Sequence, residues 1–275
     1  KKPLYHYLPG TYSFSIATAG CNLHCLFCQN YTISQAAPED LPVLKVTPSA
    51  IVKTAISEKS SSIAYTYNEP IIFYEFVYDI AQSARESGLK NILVTAGYIN
   101  EEPLRKLCKV IDAANVDLKG FNREYYEKVV GGDLEIVKRT LKIMKEEGVW
   151  IEITTLIVPG MNDTDEEIRE MCRWIKTELG EDVPLHFSRF HPMYKLKDLP
   201  PTPTETLERM RKIAVEEGLN YVYIGNVPGS KYSNTYCPNC GKLLISRFGY
   251  LISEMNISTE GKCKFCGHLI PGIWK

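Results

Sequence analysis

The stretch "TYSFSIATAGCNLHCLFC", residues 11–28, decides the fold because a strand-like run passes directly into a loop of closely spaced cysteines. Its first seven residues, "TYSFSIA", are a short run of β-branched and aromatic side chains among small ones, which is typical of a β-strand. The loop holds Cys21, Cys25 and Cys28 in a CxxxCxxC spacing. In a chain with 9 cysteines among 275 residues, chance would give this spacing roughly 0.01 times, so we interpret the three thiols as metal ligands.

Strand-like runs and amphipathic helical patterns alternate along most of the chain. The further strand-like runs are "SSIAYTY" (61–67), "NILVTAG" (91–97), "ANVDLKG" (114–120), "WIEITTLIV" (150–158), "PLHFSRF" (184–190) and "YVYIG" (221–225). Helical patterns cover residues 70–87, 135–147, 165–179 and 204–217. About six βα units predict an α/β fold, a partial (β/α)6 TIM-like barrel whose functional loops follow the carboxyl ends of parallel strands.

Composition narrows the function classes. The 44% hydrophobic content supports an ordinary buried core, and the net charge of −1 is spread without long runs of one sign. We therefore expect no nucleic-acid partner. No run of apolar residues is long enough for a membrane span and no signal peptide is visible, so we expect no membrane association and a cytoplasmic location. Because the sequence opens on Lys1 rather than Met, we expect a natural segment ahead of it.

A second group of cysteines lies near the end of the chain. "CPNCG" and "CKFCG" flank a stretch rich in strand formers, which predicts two metal-binding knuckles closed by a hairpin. The ligands are Cys237, Cys240, Cys263 and Cys266. Four thiolates make a closed structural site, for which zinc is the first choice, with a rubredoxin-like iron or an auxiliary iron–sulfur cluster as alternatives. We expect two domains, a barrel at 1–229 and this small metal ribbon at 230–275.

The three-cysteine loop calls for a different chemistry. Four thiolates saturate a four-iron cluster, so three would leave one iron open to a small chelating molecule. The loop follows the first strand, which puts this iron at the catalytic face of the barrel. The alternative is a three-thiolate zinc site completed by His24. We interpret the remaining cysteines, Cys108 and Cys172, as buried thiols within helices.

"CNLHCLFC", with Phe27 before the third cysteine, resembles the motif of radical S-adenosylmethionine (SAM) enzymes. The resemblance extends over about residues 12–225. It implies that SAM chelates the open iron of a [4Fe–4S] cluster. The reduced cluster would then split SAM into methionine and a 5′-deoxyadenosyl radical that abstracts hydrogen from a substrate. "YHYLPGTYSFSIATAGCN", "CQNYTIS" and "SRFHPMYKL" are similar to a branch related to pyruvate formate-lyase activating enzyme, the AmmeMemoRadiSam-system radical SAM proteins.

The resemblance assigns SAM contacts to the ends of the second, third and fourth strands. In "TYNEP", Asn68 and Glu69 would meet the SAM amino group, although the same residues also form a helix N-cap pattern. In "VTAGY", Thr95 would offer a hydroxyl to the ribose. In "VDLKG", Lys119 would pair with the SAM carboxylate while Asp117 orients it or faces the substrate.

The fifth and sixth strands complete the expected cavity. In "LIVPGMND", Ile157 and Val158 would form an apolar wall beside adenine, and in "SRFHP", His191 would lie near the ribose. The substrate would be a protein, such as a glycyl-radical enzyme, or a small molecule. The partners would include a one-electron donor such as ferredoxin or flavodoxin. The alternative function is a non-catalytic iron–sulfur and zinc metalloprotein that transfers electrons or binds a partner, because "TYNEP" and "VTAGY" depart from the family pattern.

Overall fold

The core of the protein is a parallel sheet of seven strands, paired in sequence order, in a computed structural model that describes residues 4–249 and 251–275. The strands are β1 (Ser13–Ile16), β2 (Ser62–Tyr65), β3 (Lys90–Thr95), β4 (Ala113–Asp117), β5 (Trp150–Ile157), β6 (Leu185–Arg189) and β7 (Val222–Gly225). Every neighbouring pair is parallel, and within the described ranges β1 and β7 do not pair with each other. The sheet is therefore an open, partial barrel, which confirms the predicted fold class.

Helices connect these strands. They are α1 (Tyr31–Ser34), α2 (Pro48–Ser57), α3 (Tyr74–Glu86), α4 (Glu101–Cys108), α5 (Arg123–Tyr125), α6 (Leu134–Glu146), α7 (Asp165–Trp174) and α8 (Thr204–Glu216). Short 3₁₀ turns occupy Pro38–Asp40, Pro70–Phe73 and Lys231–Ser233, and π-helical turns occupy Tyr126–Val130 and Ile175–Leu179. None of the helices described here has the length and apolarity needed to cross a membrane.

Helix α6 illustrates why the helical patterns pack as they do. Asp133 caps its first turn by accepting a hydrogen bond from the backbone N–H of Glu135 at 2.9 Å. Val137, Leu141 and Met144 then recur at three- and four-residue spacing and are buried against the sheet. Each such buried side chain contributes about 1.5–3 kcal/mol to folding, so this stripe fixes the orientation of the helix.

The end of the barrel where the strands begin is closed by the first described residues. Glu152, fully buried on β5, accepts hydrogen bonds from the backbone N–H groups of Tyr5 and His6, both at 2.8 Å. His186 on β6 lies 2.7 Å from the same carboxylate through Nε2, and the Trp150 indole N–H donates at 3.2 Å. A buried carboxylate is stable only when its lone pairs are satisfied, so Glu152 fixes the N-terminal segment across the barrel opening.

The C-terminal ribbon packs against this same end. It contains a three-stranded antiparallel sheet of β8 (Thr235–Tyr236), β9 (Leu243–Phe248) and β10 (Leu251–Met255). Buried Arg247 donates to the Tyr5 carbonyl at 2.9 Å and to the Thr235 hydroxyl at 2.7 Å. The His6 Nδ1–H donates to the Pro271 carbonyl at 2.7 Å. The division at residues 229/230 stays a prediction, but the two parts are bonded to each other through the N-terminal segment.

Candidate active site and metal centre

A cavity of about 280 Å³ opens at the carboxyl ends of the strands. Nine of the residues assigned from the sequence line it: Cys21, Cys25, Phe27, Cys28, Asn68, Glu69, Thr95, Asp117 and Lys119. They come from the first four strand-end loops of the barrel, which parallel strands bring to one face. The structure thus brings the three loop cysteines together with most of the expected SAM contacts.

Backbone hydrogen bonds fix the three-cysteine loop. The N–H groups of His24 and Leu26 donate to the carbonyls of Val130 and Val129 at 3.1 and 2.9 Å. A Cβ atom on Gly132 would lie 2.7 Å from Leu23 Cδ2, so a larger residue at this position would force the Leu23 side chain to move. The "GG" pair at residues 131–132 was not singled out in the sequence, although two adjacent glycines after a helix are a recognisable sign of close backbone packing.

The thiols of the loop require a metal to be held as thiolates. Burial raises the pKa of Cys21 to about 12 and also raises the pKa of Cys25. Iron bound to these sulfurs would supply the positive charge that keeps them deprotonated. His24 is exposed and its Nδ1 lies 2.9 Å from Gln35 Oε1. Among the described residues, the loop thiols do not belong to any set of ligand atoms that lie close enough together to bind one metal ion. The geometry therefore disfavours the zinc alternative.

Glu69 and its neighbours line the cavity with polar atoms that are already bonded to protein. The buried carboxylate of Glu69 accepts from the Thr95 hydroxyl at 2.6 Å, the Ala96 N–H at 2.8 Å and the Ile71 N–H at 3.3 Å. Burial raises the pKa of Glu69, while these donors oppose the shift. Asn68 accepts from the Thr18 N–H at 3.1 Å. The cap role of Glu69 is therefore observed, and direct contacts of these residues with SAM stay predictions.

Lys119 forms the charged centre of the cavity wall. Its ammonium lies 2.9 Å from Asp117 Oδ2 and 5.9 Å from the centre of the Phe27 ring. Burial lowers the pKa of Lys119, but the Asp117 carboxylate and the Cys25 thiol raise it, and the net direction is upward. Lys119 therefore stays protonated, and the side chain of its counter-ion Asp117 is partly exposed.

Three expected SAM contacts lie outside this cavity lining. Ile157 and Val158 are fully buried, whereas Thr154 and Leu156 of the same strand line the cavity. Because side chains alternate between the two faces of a strand, Leu156 and Ile157 cannot both face the interior. His191 is exposed and does not belong to the lining. The structure does not bring these three residues into the cavity with the others. Their assigned contacts with adenine and ribose stay predictions.

Several lining residues were missed in the sequence. Ser188 lies near the carboxyl end of β6 and Asn226 directly follows β7. Both line the cavity, and the Asn226 amide donates to the Ser188 hydroxyl at 2.9 Å. The Thr154 hydroxyl is buried and has no hydrogen-bond partner among the described residues. Ser34 Oγ lies 3.1 Å from Cys28 Sγ. Position at the end of a strand was the one signal available for Ser188 and Asn226.

The four C-terminal cysteines form a compact tetrad. Their ligand atoms all lie within 4.8 Å of one another, with Cys237 and Cys266 sulfurs 3.6 Å apart and Cys240 and Cys263 sulfurs 3.8 Å apart. Tetrahedral zinc with sulfur ligands at about 2.3 Å gives an edge of about 3.8 Å. A four-iron cluster would hold its thiolates further apart, since each binds a different iron. The donor set fits a single ion, and the auxiliary-cluster alternative does not fit.

Comparisons with known proteins indicate the family of the chain. The sequence model of the Radical SAM superfamily matches residues 15–175. The chain is 51% identical to Uncharacterized protein MJ0808 of Methanocaldococcus jannaschii, over 98% of this chain and 80% of that protein. It is 23% identical to pyruvate formate-lyase 1-activating enzyme of Escherichia coli, over 72% of this chain and 87% of that enzyme. Streptococcus suis SuiB, solved with SAM, shares the fold with a TM-score of 0.61 and 12% identity, over 78% of this chain and 51% of that one.

A barrel with a three-thiolate loop beside a charged cavity suits an iron–sulfur cluster with one open iron. The chain belongs to the radical SAM superfamily, and it is an enzyme similar to the pyruvate formate-lyase activating enzymes. Its cofactors are accordingly a [4Fe–4S] cluster and SAM. Cys21, Cys25 and Cys28 fit the cluster because soft thiolates are its usual ligands. The enzyme prediction is therefore confirmed over the metalloprotein alternative, while the AmmeMemoRadiSam branch stays a prediction.

Proposed function

We propose that the cavity around Cys21, Cys25 and Cys28 carries out hydrogen abstraction from a bound substrate. When bound together, the cluster and SAM supply a 5′-deoxyadenosyl radical, by one-electron cleavage of the sulfonium to methionine. The observation that carries the proposal is the meeting of three thiols, an ammonium and buried acceptors in one cavity at the catalytic face.

Each side chain has a role in this proposal. Cys21, Cys25 and Cys28 hold three irons, and the fourth is left for the amino and carboxylate groups of SAM. The Lys119 ammonium attracts the SAM carboxylate. Before SAM binds, the Asp117 carboxylate holds the Lys119 ammonium in place. The carboxylate of Glu69 keeps the end of β3 in position through Thr95 and Ala96, so that this edge of the cavity is rigid.

The substrate and the electron source are the finer parts of the proposal. We favour a protein substrate, such as a glycyl-radical enzyme, over a small molecule, because the activating-enzyme relatives cover most of this chain. The electron comes from a one-electron carrier such as ferredoxin or flavodoxin. Cysteines that bind metals rather than form disulfides suit a reducing compartment, which supports a cytoplasmic location.

The test is anaerobic. The protein is reconstituted with iron and sulfide, reduced with dithionite and given SAM, and 5′-deoxyadenosine is measured beside the electron paramagnetic resonance spectrum of the cluster. We expect the spectrum to change on SAM addition and 5′-deoxyadenosine to accumulate. A cluster that forms but neither responds to SAM nor cleaves it would overturn the proposal.

A further inference from the structure

Tyr67, at the mouth of the cavity, has a backbone conformation that disfavours its own side chain. Its φ is +72°, and the Asn68 N–H donates to the Thr66 carbonyl at 3.0 Å, closing a three-residue turn around it. A γ-turn with positive φ at its centre is the rare and strained form. Glycine adopts this conformation without steric cost, so a tyrosine here is selected against unless its ring has a use.

The location of Tyr67 indicates what that use is. Tyr67 lines the cavity beside the cysteine loop and is 55% exposed. Its carbonyl accepts a hydrogen bond from the Asn30 side-chain amide at 2.7 Å, which ties the turn to the residues that follow Cys28. The strained turn is therefore fixed on both sides, and the side chain it carries lies at the rim where a ligand would leave.

We propose that Tyr67 is a SAM-binding residue, whose ring covers bound SAM at the mouth of the cavity. This inference rests on the proposed function of the cavity. An aromatic ring contributes apolar contact and a negative face, and both suit a ligand that carries a flat base and a sulfonium cation. The cover also separates the cluster from solvent and oxygen.

Because Tyr67 is strained, removing its side chain should not lower the stability of the protein. Tyr67→Gly removes the ring and relieves the backbone, so we expect the melting temperature to stay at the wild-type value or to rise by up to about 4 °C. The affinity for SAM should fall about tenfold. It is measured by anaerobic equilibrium dialysis of the oxidised, reconstituted protein, without turnover. The visible absorbance of the cluster should also bleach faster in air.

Matched variants separate the ring from the strain. Tyr67→Phe keeps the ring and should bind SAM like wild type. Tyr67→Asn removes the ring and tolerates positive φ, so it should lose the same SAM affinity as Tyr67→Gly. It replaces Tyr67→Gly as the test if the glycine variant does not load its cluster. Lys59 also has positive φ, at +52° after α2 and away from the cavity. Lys59→Gly should therefore change stability in the same direction and leave SAM affinity and bleaching unchanged.

The outcomes are distinguishable. If wild type does not bind SAM, the proposed function fails. If wild type binds SAM and Tyr67→Gly binds it equally well with unchanged bleaching, the role of Tyr67 is overturned. A clear drop in melting temperature for both Tyr67→Gly and Tyr67→Asn would also overturn it, because the ring would then be a packing element.

Discussion

The two cysteine groups lie at opposite ends of the barrel and differ in one ligand. The loop at the carboxyl ends of the strands offers three thiols in a cavity of about 280 Å³. The C-terminal tetrad offers four sulfurs within 4.8 Å of one another, beside the barrel end closed by the N-terminal segment. A missing thiolate leaves a coordination position for a ligand, whereas a complete set leaves none. We therefore expect catalysis at the first group and structural stabilisation at the second.

The largest expected effect is at the open site. Cys25→Ser should abolish 5′-deoxyadenosine formation and the SAM-responsive electron paramagnetic resonance signal, because the cluster loses a thiolate that is buried in the cavity. The C-terminal metal should remain at one ion per chain by elemental analysis. Cys108→Ser is the matched control, since Cys108 is a buried thiol outside both groups. Full activity of Cys25→Ser would show that the loop thiols do not hold the catalytic cluster, and the contrast between the two cysteine groups would be wrong.

Loss of a ligand from the C-terminal tetrad should lower stability and leave SAM cleavage intact. Cys240→Ser should lower the free energy of unfolding on the order of 5 kcal/mol, part of the about 10–16 kcal/mol that structural zinc supplies to small domains. Hydrogen exchange should rise in the ribbon and, through Arg247, around Tyr5. Below the melting temperature, 5′-deoxyadenosine formation should persist. Unchanged stability of Cys240→Ser, together with loss of the C-terminal metal by elemental analysis, would show that the tetrad has another role.

The barrel end between the sites should be sensitive to acid. Burial lowers the pKa of His6 to about 4 from 6.5, against the attraction of Glu152 and with smaller repulsion from Arg247 and His186. A base with a depressed folded pKa binds its proton more readily when unfolded, so stability present above pH 6.5 is lost as the pH falls toward 4. The loss is about 3 kcal/mol at most.

Denaturant titrations from pH 8 to pH 4 measure this loss. His6→Gln should flatten the dependence between pH 6.5 and 4, although it also weakens the bonds to Pro271 and Tyr223. His191→Gln, at an exposed histidine, should leave the slope unchanged. An equal slope in wild type and His6→Gln would contradict the assignment to His6.

The smallest expected effect concerns a single charge at the open site. Lys119→Met should weaken SAM binding about tenfold, or about 1.4 kcal/mol, since the SAM carboxylate loses its cation while Asp117 remains. Equilibrium dialysis with the oxidised protein measures it. Lys142→Met, at an ion pair with Glu178 on the outer surface, is the control. An unchanged affinity would mean that the carboxylate of SAM is held elsewhere.

Much of the fold follows from local pattern. Seven short β-branched or aromatic runs, and the helical patterns between them, were sufficient to predict a series of βα units, because each pattern depends on residues that are close in sequence. Such a series implies parallel strands with a common functional face. The two cysteine spacings likewise specified the number of ligands at each site. Helix ends were less accurate, as at residues 175–179, where the chain forms a π-helical turn.

The tertiary structure decided what surrounds these residues. Leu156 rather than Ile157 lines the cavity because the alternation of β5 admits only one of them. Glu69 is bonded to Thr95, 26 residues away, and Arg247 to Tyr5, 242 residues away. The sequence alone determined which ligands the protein has. Only packing determined which of them share a cavity and which close the barrel, because contacts between distant segments depend on the register and twist of the whole sheet.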